Sequence, residues 1–198
     1  MNYGKIYVAD VANGPGCRVS LFVSGCTHHC KGCFNQVTWN FDYGELYTWD
    51  TEELILSTLK SEGCDGLSIL GGEPMELLNQ LAIVGLLRRA RALKGAQDKS
   101  IWLYTGYTLE ELRDEDNHRC HGEYTDEILS LIDVLVDGEF IEEEKDITLS
   151  FRGSRNQRII FLVEGEPVWI LTGQDKLMEW EGKENDHHES GQNRNIQL

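Results

Sequence analysis

Residues 18–33 read RVSLFVSGCTHHCKGC, and the fold turns on this stretch. Arg18–Ser24 is rich in β-branched and aromatic residues, and the run stops at Gly25. Cys26, Cys30 and Cys33 follow at once in the spacing C-x3-C-x2-C. The reading is a loop at the end of a strand that carries three soft thiolate donors.

Working outward, Tyr3–Ala9 reads as a short strand and Gly14-Pro15-Gly16 as a turn. Trp49-Asp50-Thr51-Glu52-Glu53 predicts a helix start, with Asp50 as cap and Glu53 closing a capping box, and the helix is expected to end near Gly63. Leu67–Leu70 reads as a buried strand ending in Gly71-Gly72-Glu73-Pro74, where Pro74 suits the first position of a helix reaching Leu93. Ser100–Thr105 is a further strand and Thr108–Glu111 a second capping box. A helix near Asp126–Ile132 leads into a strand at Asp133–Val136, and Arg158–Val163 and Val168–Leu171 are expected as the last strands.

This alternation predicts βαβ units. About five strands are too few to close an eight-stranded barrel of about 250 residues. The expected class is therefore α/β, a partial, open (β/α) barrel with a curved, mostly parallel sheet. Residues 1–172 are expected to form one domain, and the polar stretch from Gly173 to Leu198 a disordered tail or appendage.

The 198 residues carry a formal charge of −16, and 40% are hydrophobic, with five Trp, seven Tyr and six Phe to fill a core. Such an acidic surface repels phosphate backbones and anionic lipid, so neither nucleic acid nor membrane is an expected partner. No run approaches the roughly 18 apolar residues of a membrane span, and the start lacks a signal-peptide pattern. A cytoplasmic location is expected.

In a reducing compartment, three cysteines within eight residues suggest a metal rather than disulfides. Spacing alone leaves an iron–sulfur cluster, a zinc site and structural or redox thiols all open. A closed zinc site needs a fourth ligand, for which His28, His29, Cys17 or a distant residue would have to serve, whereas three thiolates on a four-iron cubane leave one iron free. Cys17, Cys64 and Cys120 have no metal spacing and read as structural thiols.

Companion motifs bear on that choice. They are NGPGCR (13–18), LFVSGCTHHCKGCFNQVTW (21–39), LGGEP (70–74), IWLYTGY (101–107), DVLVDGEF (133–140) and FRGSRNQR (151–158). In this order, from about Met1 to Ile160, they resemble the activating proteins of anaerobic (class III) ribonucleotide reductase, within the radical S-adenosylmethionine superfamily. Gly32 stands where many members of that superfamily carry an aromatic residue, a departure that favours the narrower family.

The resemblance implies a barrel of the radical-SAM type and a [4Fe–4S] cluster on Cys26, Cys30 and Cys33, with S-adenosylmethionine as second cofactor. It implies a 5′-deoxyadenosyl radical that ends as a glycyl radical on the reductase's large subunit, with an external one-electron donor such as a flavodoxin. Gly71 and Gly72 let backbone approach a ligand, and Glu73 offers a carboxylate to the methionyl ammonium; an ordinary strand-to-helix turn is the rival reading. Gly32, Cys33 and Phe34 are expected near the nucleoside, though Phe34 reads equally as core. Asp137 is a ribose-binding candidate or a turn former. Arg152, Arg155, Asn156, Gln157 and Arg158 line the cofactor or partner side, or form a solvated turn. His28 and His29 read as polar cover on the loop, with hydrogen bonds to cluster sulfur or contact with the partner as the rival roles. An activator of a formate-lyase type enzyme and a zinc-stabilised binding module without catalysis are the alternatives.

Overall fold

The computed structural model describes residues 1–173 and Asp175; the remainder of the expected polar tail lies outside the described residues. β1 (Asn2–Asp10) pairs antiparallel with β2 (Arg18–Val23), and β3 (Glu45–Leu46) lies outside β1. There follow α1 (Trp49–Lys60), β4 (Gly66–Gly71), α2 (Leu77–Ala92), β5 (Ser100–Tyr104), α3 (Leu109–Arg113), α4 (Thr125–Leu131) and β6 (Val134–Asp137). β7 (Arg158–Val163) and β8 (Glu166–Leu171) close the chain of elements.

All eight strands form one open sheet in the order β3-β1-β2-β4-β5-β6-β7-β8. The centre, β2-β4-β5-β6, is parallel, as the helical connections require. Both flanks are antiparallel, so the expectation of a mostly parallel sheet of about five strands holds only for the centre. The reason is local at one edge: Glu164 and Gly165, both at positive φ, make a two-residue hairpin turn that folds β8 back on β7.

Alternation along the strands separates two apolar layers. Val19, Leu21 and Val23 of β2, Leu67 and Ile69 of β4, and Ile101 and Leu103 of β5 share one cluster with Ile55 and Leu59 of α1, Ile83 and Leu87 of α2, and Ile128 of α4. Trp102, Val134, Val136, Ile159, Phe161 and Leu171 form the second, to which no helix among the described residues contributes. Among the described residues, the helices thus pack on one face of the open sheet.

Helix starts differ in detail from the sequence reading. α1 is capped by Thr48, whose side chain accepts from the Thr51 amide in a Thr-Thr capping box; Asp50 sits instead in the first turn, where its charge suits the helix dipole. α2 begins at Leu77 rather than Pro74, because the Met75 amide turns back to donate to Glu73 Oε1 at 2.8 Å. The capping box at Thr108 and Glu111 forms as expected.

The arginines of α2 reach to neighbouring elements. Arg88 pairs with Glu127, Arg89 with Glu52 and Glu53 while lying over the Trp49 ring, and Arg91 with Asp133 at 2.7 Å.

Arg18 is fully buried at the start of β2 and ties the lower ends of three parallel strands together. Its Nε donates to Ser68 Oγ at 2.7 Å, Nη1 to Ser100 Oγ at 2.9 Å, and Nη2 to the carbonyls of Leu67 and Ser100 at 2.9 and 2.8 Å. Burial pushes the guanidinium down to about 10, which leaves it a cation at neutral pH. Arg18→Ala strands these acceptors in the interior, at about 1–3 kcal/mol for each one left unpaired. With four such acceptors the expected outcome is a loss of at least about 4 kcal/mol, read as a lower urea midpoint with unchanged slope.

Candidate functional site

Parallel strands deliver their C-terminal ends to one side of the sheet. Val23 pairs with Gly71, and Tyr104 with Val136, so the segments after β2, β4, β5 and β6 emerge together. The cysteine loop, the Gly72-Glu73 turn, Thr105-Gly106 and Gly138-Glu139 therefore meet, at the place where α/β folds hold their ligands.

The root of the cysteine loop is pinned by main-chain bonds. The amides of Gly25 and Cys26 donate to the carbonyls of Thr38 and Trp39 at 2.8 and 3.2 Å, and the Glu73 amide donates to the Gly25 carbonyl at 2.8 Å. A Cβ on Gly72 would lie 2.6 Å from the Gly25 oxygen and 3.0 Å from that of Thr38. Gly71, at φ +111°, would bring a Cβ within 2.8 Å of the β2 backbone. In this structure the two glycines let β4 dock against the loop.

Within the loop Cys26 is buried, Cys30 and Cys33 are half-buried, and all three thiols are free. Burial pushes the Cys26 thiol up to about 12 and raises Cys30 as well. The Asn35 amide donates to Cys33 Sγ at 3.4 Å. Gly32 sits at φ +75° against Glu142, and Phe34, 91% exposed, projects from the surface and is not a core residue. Cys64 and Cys120 are buried and donate to the carbonyls of Gly66 and Glu111. Cys17 precedes β2, at the opposite end of a strand roughly 20 Å long from Cys26.

Among the described residues no three Cys, His, Asp or Glu side chains are already gathered around a point where an ion could sit. The fit to a cluster comes from the donor set. Three free thiols stand within eight residues at the mouth of the parallel strands, a supply that suits an iron–sulfur cubane with one iron left open.

Glu73 is 1% exposed and fully engaged. Its Oε1 accepts from the Met75 amide and Thr105 Oγ1, both at 2.8 Å, and its Oε2 from the Gly106 amide at 2.7 Å. His28 Nε2 approaches the same Oε2 at 3.1 Å, close enough for an ion pair but not aligned for a hydrogen bond. The reading of His28 as polar cover is corrected here: its side chain is 3% exposed, and Nδ1 meets Glu139 Oε1 at 2.5 Å. Burial works against the charged imidazole, but Glu73 and Glu139 outweigh it and the His28 pKa is raised. Beside it, the Thr27 amide and hydroxyl both donate to the buried Glu76, at 2.7 and 2.6 Å.

Asp137 is fully buried and its oxygens are taken. Oδ1 accepts from Arg158 Nε at 2.9 Å, and Oδ2 from the Leu109 amide at 2.8 Å and from Arg158 Nη2 at 2.5 Å. Through the Leu109 amide it fixes the start of α3. Nor is the RGSRNQR segment a solvated turn. Gln157 accepts from the Gly153 and Ser154 amides and donates to the Gly138 carbonyl, Asn156 donates to the Glu139 carbonyl at 2.8 Å, and Arg152 donates to the carbonyl of Gln157 at 3.3 Å.

Glu139 and Glu76 were not singled out by the sequence reading. One signal was available for Glu139: like Glu73, it is an acid two residues beyond the last residue of a central parallel strand.

A 4Fe-4S single cluster domain family matches residues 12–160. The chain is 47% identical over 161 residues to an anaerobic ribonucleoside-triphosphate reductase-activating protein of Vibrio cholerae, covering 80% of this chain and 97% of the relative. Proteins of the same description from Escherichia coli (strain K12) and enterobacteria phage T4 are 40% and 38% identical, across 79% and 85% of this chain and 96% and 98% of their own lengths.

The engagement of Glu73 has a direct test. In Glu73→Gln an amide N–H must face at least one of the donors around it, leaving a buried group unpaired. The metal-free variant is expected to lose about 2 kcal/mol in urea unfolding, whereas a solvated glutamate would give no change.

Proposed function

Because the chain belongs to the family of anaerobic ribonucleoside-triphosphate reductase-activating proteins and contains a 4Fe-4S single cluster domain, we propose that it installs a glycyl radical on the large subunit of the anaerobic reductase. The observation that carries this reading is the meeting of a loop of three free cysteines with the Gly71-Gly72-Glu73 turn at the ends of the parallel strands. Cys26, Cys30 and Cys33 are the proposed ligands of a [4Fe–4S] cluster, and S-adenosylmethionine is the proposed second cofactor.

When bound, the two groups supply one-electron reductive cleavage of a sulfonium C–S bond and hence the radical that removes a hydrogen atom from the partner's glycine. The chain's own residues hold the geometry. Main-chain bonds from Gly25 and Cys26 fix the root of the cysteine loop to Thr38 and Trp39, the Glu73 amide ties it to the turn after β4, and Thr27 locks it to Glu76. The Asn35 amide supports the Cys33 sulfur, a contact of the kind that tunes a cluster's potential. Gly71, Gly72 and Glu73 are proposed to face the methionyl end through the turn they build. Gly32 and Phe34 lie beside the last ligand, where the exposed ring can cover the nucleoside or meet the partner. Asp137 acts through the α3 tether rather than by contact.

One-sided helix packing supports a partial, open (β/α) barrel of the radical-SAM type over residues 1–172. An external one-electron donor of the flavodoxin class and a cytoplasmic setting complete the proposal. Among the described residues no helix is long and apolar enough to cross a membrane.

The test is anaerobic reconstitution with iron and sulfide, followed by reduction with S-adenosylmethionine and the large reductase subunit. The wild type is expected to be brown, to release 5′-deoxyadenosine and to give a glycyl-radical signal by electron paramagnetic resonance. Cys30→Ala is expected to lose all three. A colourless protein that binds zinc stoichiometrically and cleaves nothing overturns the reading, and so does a radical on a formate-lyase but not on the reductase.

A further inference from the structure

The proposed site has two halves that must stay in register: the cysteine loop, and the turn after β4 with Glu73. Much of the loop's outer side is held by weak contacts. Lys31, with 76% of its side chain exposed, reaches Glu142 and Glu143 at 3.0 Å each, and exposed pairs of this kind stabilise little. His28 is different. It sits between two of the proposed ligands, yet its side chain is 3% exposed and meets a carboxylate on either side, one after β4 and one after β6.

The pocket for the ring is built. A Cβ on Gly106 would lie 2.7 Å from His28 Nε2 and 2.8 Å from Cδ2, so this imidazole position requires a glycine there. Tyr107 packs against the ring at 4.3 Å between centroids. Behind Glu139, the Asn156 amide holds its main-chain carbonyl, so the backbone that carries this half-exposed carboxylate is fixed by the RGSRNQR segment. Three of the four close approaches to the Glu73 carboxylate come from its own turn and from Thr105-Gly106; the fourth is His28.

We infer that His28 is a positioning residue for the proposed reaction: wedged between Glu73 and Glu139, it sets the cysteine loop at a fixed distance from the turn that receives the methionyl end of S-adenosylmethionine. The inference rests on the function proposed above. It assigns His28 no bond to iron and no proton transfer.

Three variants test it in the reconstituted full chain. Gly106→Ala retains His28 and the amide that donates to Glu73, but its Cβ takes the space of the ring. His28→Ala removes the ring, and Glu139→Gln weakens its outer anchor. Each is expected to raise KM for S-adenosylmethionine more than it lowers kcat, by about tenfold for Gly106→Ala and His28→Ala, the size typical of a lost supporting partner. The change that S-adenosylmethionine makes in the resonance spectrum of the reduced cluster should diminish in parallel. His28→Ala combined with Glu139→Gln should be no worse than His28→Ala alone.

If Gly106→Ala keeps the wild-type KM and spectral change, the inference falls, whatever His28→Ala does. Should His28→Ala fail to take up iron, Gly106→Ala and Glu139→Gln decide the matter. A wild type that holds no cluster or cleaves no S-adenosylmethionine refutes the proposed function instead, so the two failures are distinct.

Discussion

A carboxylate buried to 1% exposure has to be matched on every side, and Glu73 imposes that requirement on the whole mouth of the sheet. Its partners come from three separate stretches: its own turn, the end of β5 and the cysteine loop. Each has a sequence consequence. Thr105 supplies a hydroxyl, Gly106 supplies an amide and leaves room for a ring, and His28 brings a potential cation. The Gly72 backbone packs against Gly25 because β4 and β2 must end at the same level for these groups to meet.

The second tier of the site is a chain of contacts running from β7 to the loop. Arg158 clamps Asp137 while also reaching Glu110, and both acids raise the guanidinium's pKa, Asp137 foremost. Gln157 and Asn156, next along the chain, hold the carbonyls of Gly138 and Glu139. The RGSRNQR motif thus shapes the connection after β6 from the inside. Arg152, Asn156 and Gln157 are spent on backbone groups that a loop would otherwise leave unpaired.

Much of this was legible in the residues. Short β-rich or apolar runs located β2, β4, β5 and β6, because central strands under a helical layer need Val, Ile and Leu on that face. The spacing of the three cysteines marked a candidate metal site and left the metal open, which the companion motifs narrowed. Other features were hidden for physical reasons. Asp50-x-x-Glu53 fits the capping pattern with its acid at the third place and Thr48-x-x-Thr51 does not, yet the backbone bend before Trp49 selects the latter. Pro74 suits a helix start locally, but the Glu73–Met75 bond delays α2 by a turn. His28 sits in a polar octapeptide, where nothing nearby in sequence announces that Glu73 and Glu139, 45 and 111 residues away, will bury it.

The arginines of α2 carry a consequence for how this molecule meets others. Arg88, Arg89 and Arg91 are neutralised by acids of the same chain, as are Arg113 and Arg158, so the cations contribute little to the field at a distance. What an approaching body senses is the uncompensated negative charge of a chain at −16. Encounter with a basic surface is hastened at low ionic strength, and encounter with an acidic one is retarded until salt shortens the reach of the field. A reductant of like charge would thus collide most often in concentrated electrolyte, and a basic recipient in dilute.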